Sequence, residues 1–148
     1  MTDDVTDAVV RVERVLPAPP DVVFEAWTDP DSLRVWMAPG ERTVADAECD
    51  PRVGGAFRIV MINDDGAMEH TGRYLELDRP RKIVFTWRSA ATDMLETEVT
   101  VDLAELGAGT RMVITHRGLT SEQARDNHRD GWSAIADKFA RVLGEPSA

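Results

Sequence analysis

The chain has 148 residues, a length that fits one domain burying roughly two-thirds of the surface its unfolded form would expose. Hydrophobic residues make up 43% and charged residues 30%, so disorder is excluded as the main state. The net charge of −10, with no run rich in lysine and arginine, makes nucleic acid and anionic membrane poor partners. Cys49 is the only cysteine, which excludes an internal disulfide and a cysteine-rich zinc site. Its acidic neighbours Glu48 and Asp50 oppose a thiolate, so it reads as a structural thiol. The opening MTDDVTDAVV lacks the basic and apolar regions of a signal peptide. No apolar run approaches the roughly 18 residues a membrane span needs. A cytoplasmic protein of one domain over 1–148, with its core at about 8–143, is expected.

In chain order, the acidic stretch 1–8 is expected to fray. VVRVERVL (9–16) reads as a strand with Val10, Val12 and Leu16 on one face. PAPP (17–20) stops it and prepares a helix, because proline is tolerated in a first turn. DVVFEAWT (21–28) reads as a short helix with Phe24 and Trp27 on one side. Asp29 as N-cap and Pro30 as N1 start a second, at about 30–37, which Pro39-Gly40 ends.

From 42 to 117 the texture changes to strands and turns. Residues 42–50 are a weak strand, followed by AFRIVMIN after Gly54-Gly55. Asn63-Asp64-Asp65-Gly66 is a hairpin turn leading into 67–78, and KIVFTWR (82–88) follows Asp78-Arg79-Pro80. ETEVTVDLAEL (96–106) alternates most cleanly, which predicts one wet and one covered face. Gly107-Ala108-Gly109 turns the chain into TRMVITHRG (110–118), where Met112, Ile114 and His116 share a face.

Residues 120–143 read as a long helix, with Thr120 and Gln123 as a capping box and Gly144 and Pro146 as the stop. Its apolar stripe runs through Ala124, His128, Trp132, Ile135, Phe139, Val142 and Leu143, while Asn127, His128, Arg129 and Asp130 make its front half polar. Segregated elements predict an α+β fold: an antiparallel sheet of six or seven strands covered by the last helix. The polar front half predicts an open cavity between helix and sheet.

Several chemistries are excluded by inspection. There is no HExxH, Walker loop or GxGxxG. Gly131-Trp132-Ser133 begins like a nucleophile elbow, but Ile135 stands where the second glycine belongs. His70, His116 and His128 lack the close spacing of a metal site and read as polar groups at a pocket rim. Glu69 and His70 are the one acid–base neighbour pair of interest, yet adjacent strand residues point to opposite faces. Trp27, Trp36, Trp87 and Trp132 read first as core, and the last three could also line a cavity. Arg58 and Arg73 read as snorkelling arginines, with anion-directed arginines inside a pocket as the sharper alternative. No cofactor and no catalytic residue are assigned.

PAPPDVVFEAWTDPDSLRVWMAP, GGAFRIVM, GRYLELDRPRKIVFTW, VTVDL followed by GAGTRMVITHRGL, and HRDGW occur in an order and spacing that carry a family resemblance. The chain resembles the activators of the Hsp90 ATPase, within the START-like, Bet v 1-like superfamily, over about residues 8–143. The resemblance implies the helix-grip fold: an antiparallel sheet curled around a long C-terminal helix, with two short helices after the first strand. It also implies a cavity for an apolar or amphipathic small molecule. By position, Phe57, Met61, Trp87, His116, His128 and Trp132 are expected around it. Relatives often carry Trp-Trp-Gly-Pro after the second helix, where this chain reads Trp36-Met37-Ala38-Pro39. Eukaryotic co-chaperones of the family carry an additional N-terminal domain that binds the chaperone. The chain reads instead as a bacterial stand-alone member, and stimulation of Hsp90 is not expected.

The first function this implies is small-molecule binding. An enzyme of the cyclase, dehydratase or hydrolase type, with His116 and His128 as its acid–base candidates, and a co-chaperone-like interaction module are the alternatives. A homodimer through an exposed strand edge or helix is compatible with the pattern, though no residue argues for it.

Overall fold

The computed structural model describes residues 9–39 and 42–144. Strand β1 (Val10–Leu16) turns Val10, Val12 and Leu16 inward, as its alternation predicts. Pro19 holds an extended conformation before helix α1 (Pro20–Thr28), whose first turn accepts Pro20 without losing a needed N–H. Val23, Phe24, Ala26 and Trp27 are buried on its inner side. Asp29 caps α2 (Pro30–Trp36) by accepting from the Asp31 amide at 3.2 Å, and α2 buries Leu33 and Trp36.

Six further strands follow: β2 (Thr43–Cys49), β3 (Ala56–Asn63), β4 (Gly66–Asp78), β5 (Lys82–Trp87), β6 (Thr97–Leu106) and β7 (Gly109–Arg117). Every pairing is antiparallel, in the order β1-β7-β6-β5-β4-β3-β2. The register shifts once in β2 between Val44 and Asp46, and once in β4 between Tyr74 and Glu76. Such irregularities bend a strand and help a sheet to curl. Helix α3 (Glu122–Gly144) lies against β1 and α2 against β2, so helices flank both edge strands. This is the α+β helix-grip arrangement that the sequence predicts.

Two local expectations change. Helix α3 is capped by Ser121, not Thr120: the Ser121 hydroxyl accepts from the Ala124 amide at 3.0 Å, and the Arg125 amide bonds to the Ser121 carbonyl. The outer face of β6 is drier than alternation implies, because Thr100 sits mid-sheet between Val84 and Thr115 and is buried. The loop after β5 contains a turn of 3₁₀ helix (Ala90–Thr92), closed by reciprocal Ser89–Thr92 hydrogen bonds. The expectations for 1–8, Gly40 and Pro146 lie outside the described residues.

Candidate functional site

The inner face of the sheet carries aromatic rings on β3, β4 and β5, and the helix decides where that face is covered. In its second half, α3 presents Ile135, Ala136 and Phe139, all buried. Trp36 stacks on Phe139 with ring centres 3.9 Å apart, and Trp27 meets Trp36 edge-on at 4.8 Å. In its first half, α3 presents His128, Gly131 and Trp132 instead. A cavity of about 580 Å³ opens there between helix and sheet. The sheet side of its wall is Met61, Met68, His70 and Trp87; the helix side is Asn127, His128, Asp130, Gly131, Trp132, Ala134 and Ile135. Pro39, Arg42 and Ala91 complete the lining. The volume falls within the usual range for small-molecule sites.

Gly131 bears directly on this opening. A glycine inside a helix costs roughly 1 kcal/mol relative to alanine. A Cβ built on Gly131 would meet no atom within 4 Å, so packing does not require the glycine. What it does is leave space in the cavity wall. Gly72 on β4 plays the opposite part. A Cβ there would stand 1.9 Å from the Thr86 carbonyl oxygen and 2.4 Å from the Phe57 ring. Its absence lets Phe57 pack down onto the sheet.

Four of the six residues expected around the cavity are brought together in its wall: Met61, Trp87, His128 and Trp132. Phe57 is not. It lies deeper in the aromatic core, 5.4 Å from Phe85, 5.7 Å from Tyr74 and 6.0 Å from Trp87 between ring centres. His116 is not at the wall either, nor at a rim: it is wholly buried behind Trp132. Trp36, a candidate lining residue by type, belongs to the packed end.

His116 is the centre of a buried hydrogen-bond chain. The Trp132 indole N–H donates to its Nδ1 at 3.0 Å, so that nitrogen carries no proton. Nε2 then holds the ring proton and donates to the Thr97 hydroxyl at 2.7 Å, and Thr97 donates onward to the Trp87 carbonyl at 2.5 Å. The chain joins the two tryptophans of the cavity wall and has use only for a neutral imidazole. Burial, with a smaller contribution from nearby His128, pushes the His116 pKa down to about 3.

His70 lines the cavity and packs against Trp87, with ring centres 4.7 Å apart and the planes tilted by 34°. It was legible only as one of three scattered histidines; its inward orientation follows from the strand pairing Ile59↔His70. Its neighbour Glu69 faces out and pairs with Arg58, as strand alternation requires. Burial lowers the His70 pKa to about 4. The carbonyls of Ile59 and Met68 oppose that shift, yet Nδ1 is buried without a well-formed hydrogen bond. His128 sits 4.9 Å from His116 between ring centres and donates from Nδ1 to the Ala124 carbonyl at 2.8 Å. Burial lowers its pKa as well.

The arginines of the β3–β4 hairpin do not enter the cavity. Arg58 lies on the outer face between Glu69 and Asp46, and Arg73 is exposed beside it. Cys49 is half-buried and donates to the Thr28 carbonyl at 3.4 Å; burial, more than Asp29 or Asp50, pushes its pKa up. Among the described residues, no group of three histidine, cysteine or acidic side chains could hold a metal ion. No described helix is long and apolar enough to cross a membrane.

A curled antiparallel sheet gripping one long helix, with a cavity at the helix's front end, defines the helix-grip class of protein. Residues 17–144 match the family model described as activator of Hsp90 ATPase homolog 1-like protein, and the chain belongs to that family. Among solved structures it is similar to CV1439 from Chromobacterium violaceum: 29% identity, 94% of this chain and 99% of that one covered, TM-score 0.85. It is similar to the AHSA1 protein SPO3351 of Silicibacter pomeroyi at 27% identity, over 92% and 97% of the two chains, TM-score 0.79. CalU16 of Micromonospora echinospora shares 25% identity over 92% of this chain and 76% of its own, TM-score 0.70. Among proteins of curated function, no sequence match is found.

Proposed function

We propose that the protein binds a small apolar or amphipathic molecule in the cavity between the sheet and the front half of α3. The observation that carries this reading is the opening itself. It is walled by Trp87, Trp132, Met61 and Met68, and it persists where a glycine in a helix declines to fill it. An apolar wall with a few polar groups set into it is the usual composition of such sites. His70 and His128 are two of these polar groups, beside Arg42, Asn127 and Asp130. Neither is held by a carboxylate, the orienting partner a catalytic imidazole commonly has, and this favours binding over turnover.

The test is native mass spectrometry of the chain isolated gently from its host, run beside a Gly131→Leu variant. The expected result is a reproducible extra mass on the wild type, released on denaturation and absent from the variant. An extra mass held equally by both would put the molecule elsewhere on the protein and overturn the assignment.

A further inference from the structure

We propose that the cavity selects an uncharged molecule with an apolar body and a hydroxyl donor, a phenol or an enol, whose O–H donates to Nε2 of His128. This rests on the cavity being a binding site, and names the chemistry it takes.

The tautomer of His128 carries the reasoning. The Ala124 carbonyl can only accept, so Nδ1, 2.8 Å from it, must hold the proton of the neutral ring. Nε2 is then a bare lone pair on a residue of the cavity wall, and it has no partner among the described residues. Burial keeps the ring neutral, and His116 beside it offers no compensating charge, because its Nδ1 is occupied by Trp132.

On the sheet side, His70 differs from His128. It is only 5% exposed, it lines the same cavity, and its Nδ1 is unpartnered. That nitrogen is itself buried beyond the reach of a molecule in the cavity, so the acceptor the cavity offers a ligand is Nε2 of His128. A carboxylate would bring acceptors to an acceptor. It would bind only if His128 took up a proton, which burial opposes. Trp87 and Trp132, 5.2 Å apart between ring centres, form with Met61 and Met68 the apolar side of the wall.

Three probes of one shape separate the alternatives: 2-naphthol, naphthalene and 2-naphthoate. Each is titrated into the full ¹⁵N-labelled chain at neutral pH and followed by amide and histidine ring resonances. 2-Naphthol is expected to bind on the order of tenfold tighter than naphthalene, the amount one net hydrogen bond supplies, with 2-naphthoate weakest. The Nε2 resonance of His128 is expected to move with 2-naphthol and to stay with naphthalene. In His128→Phe, the ratio of the two affinities is expected to fall toward one. Equal binding of 2-naphthol and naphthalene, or a preference for 2-naphthoate, overturns the hydroxyl assignment while leaving the cavity a binding site. A hydroxyl preference that survives His128→Phe also overturns it. Failure of all three probes to bind contradicts the cavity reading, and the hydroxyl assignment falls with it.

Discussion

The two ends of the space between sheet and helix are built from the same kind of residue and come out differently. At one end Trp27, Trp36, Phe85 and Phe139 pack ring against ring, and the Nε1 atoms of Trp27 and Trp36 are left without partners. At the other, Trp87 and Trp132 stand beside an opening, and the Trp132 N–H is satisfied through His116. The sheet does not make this difference, since it presents aromatic rings to both ends. Helix α3 does: two turns separate Phe139, which fills its end, from Gly131, which does not. The packed end accepts orphaned indole groups in exchange for dense burial. The open end leaves space and joins its two tryptophans through the buried His116–Thr97 chain.

Substitutions at matched positions sharpen the contrast. Trp36→Ala should cost about 3–5 kcal/mol in denaturant unfolding, because the stacked pair with Phe139 collapses into a void. Binding by the molecules that remain folded should be untouched. Trp87→Ala should also destabilise, but its main signature should be loss of ligand affinity. If Trp36→Ala weakens binding as much as Trp87→Ala does, the two ends are not separate.

His116→Leu should cost about 2–3 kcal/mol, since in a buried place the Trp132 N–H loses its acceptor and the Thr97 hydroxyl, still bonded to the Trp87 carbonyl, loses its donor. The same residue sets a pH dependence. His116 and His70 have folded pKa values of about 3 and 4, both lowered from 6.5. Between the folded and unfolded values, the unfolded chain binds the protons and the folded chain does not. Their contribution to stability is therefore complete above about pH 6.5 and is lost as pH falls toward 3. Unfolding measured across that window should show a steeper decline in wild type than in His116→Leu. Parallel profiles would mean that His116 is not held neutral.

The smallest effect on stability belongs to His128→Ala. The residue is only partly buried and its one bond is to a helix carbonyl, so stability should change by less than about 1 kcal/mol. Ligand affinity should drop nonetheless. Unchanged affinity for every molecule found to bind would remove His128 from the site.

The fold was legible because its signals are local and agree with one another. PAPP, Asp29-Pro30, the turn at Asn63–Gly66 and the alternation after Thr97 each mark an element, and each element is where they place it. The miss at the start of α3 came from the capping-box pattern of Thr120 with Gln123, which the neighbouring Ser121 hydroxyl displaces by one residue. The cavity wall was legible only in part. Met61, Trp87, His128 and Trp132 follow from strand parity and helix periodicity. Parity alone gives Phe57 and His116 the same inward direction, so it cannot say how deep along the strand the open space begins. That depth depends on Gly72 drawing Phe57 down and on Trp132 covering His116, both contacts between elements distant in sequence. His70 could have been found by the same parity, since Glu69 beside it is plainly an outward residue.

Gly131→Leu brings the comparison to a single residue. Leucine is the better helix former by close to 1 kcal/mol, and a Cβ at 131 meets nothing. The variant should therefore fold, and its melting temperature should match or exceed that of the wild type. Its side chain should occupy the cavity, and binding of 2-naphthol, measured by the same titration, should fall by at least an order of magnitude. A variant that is at least as stable and binds as tightly as wild type would contradict the account, because the space beside Gly131 would then not be where ligands bind.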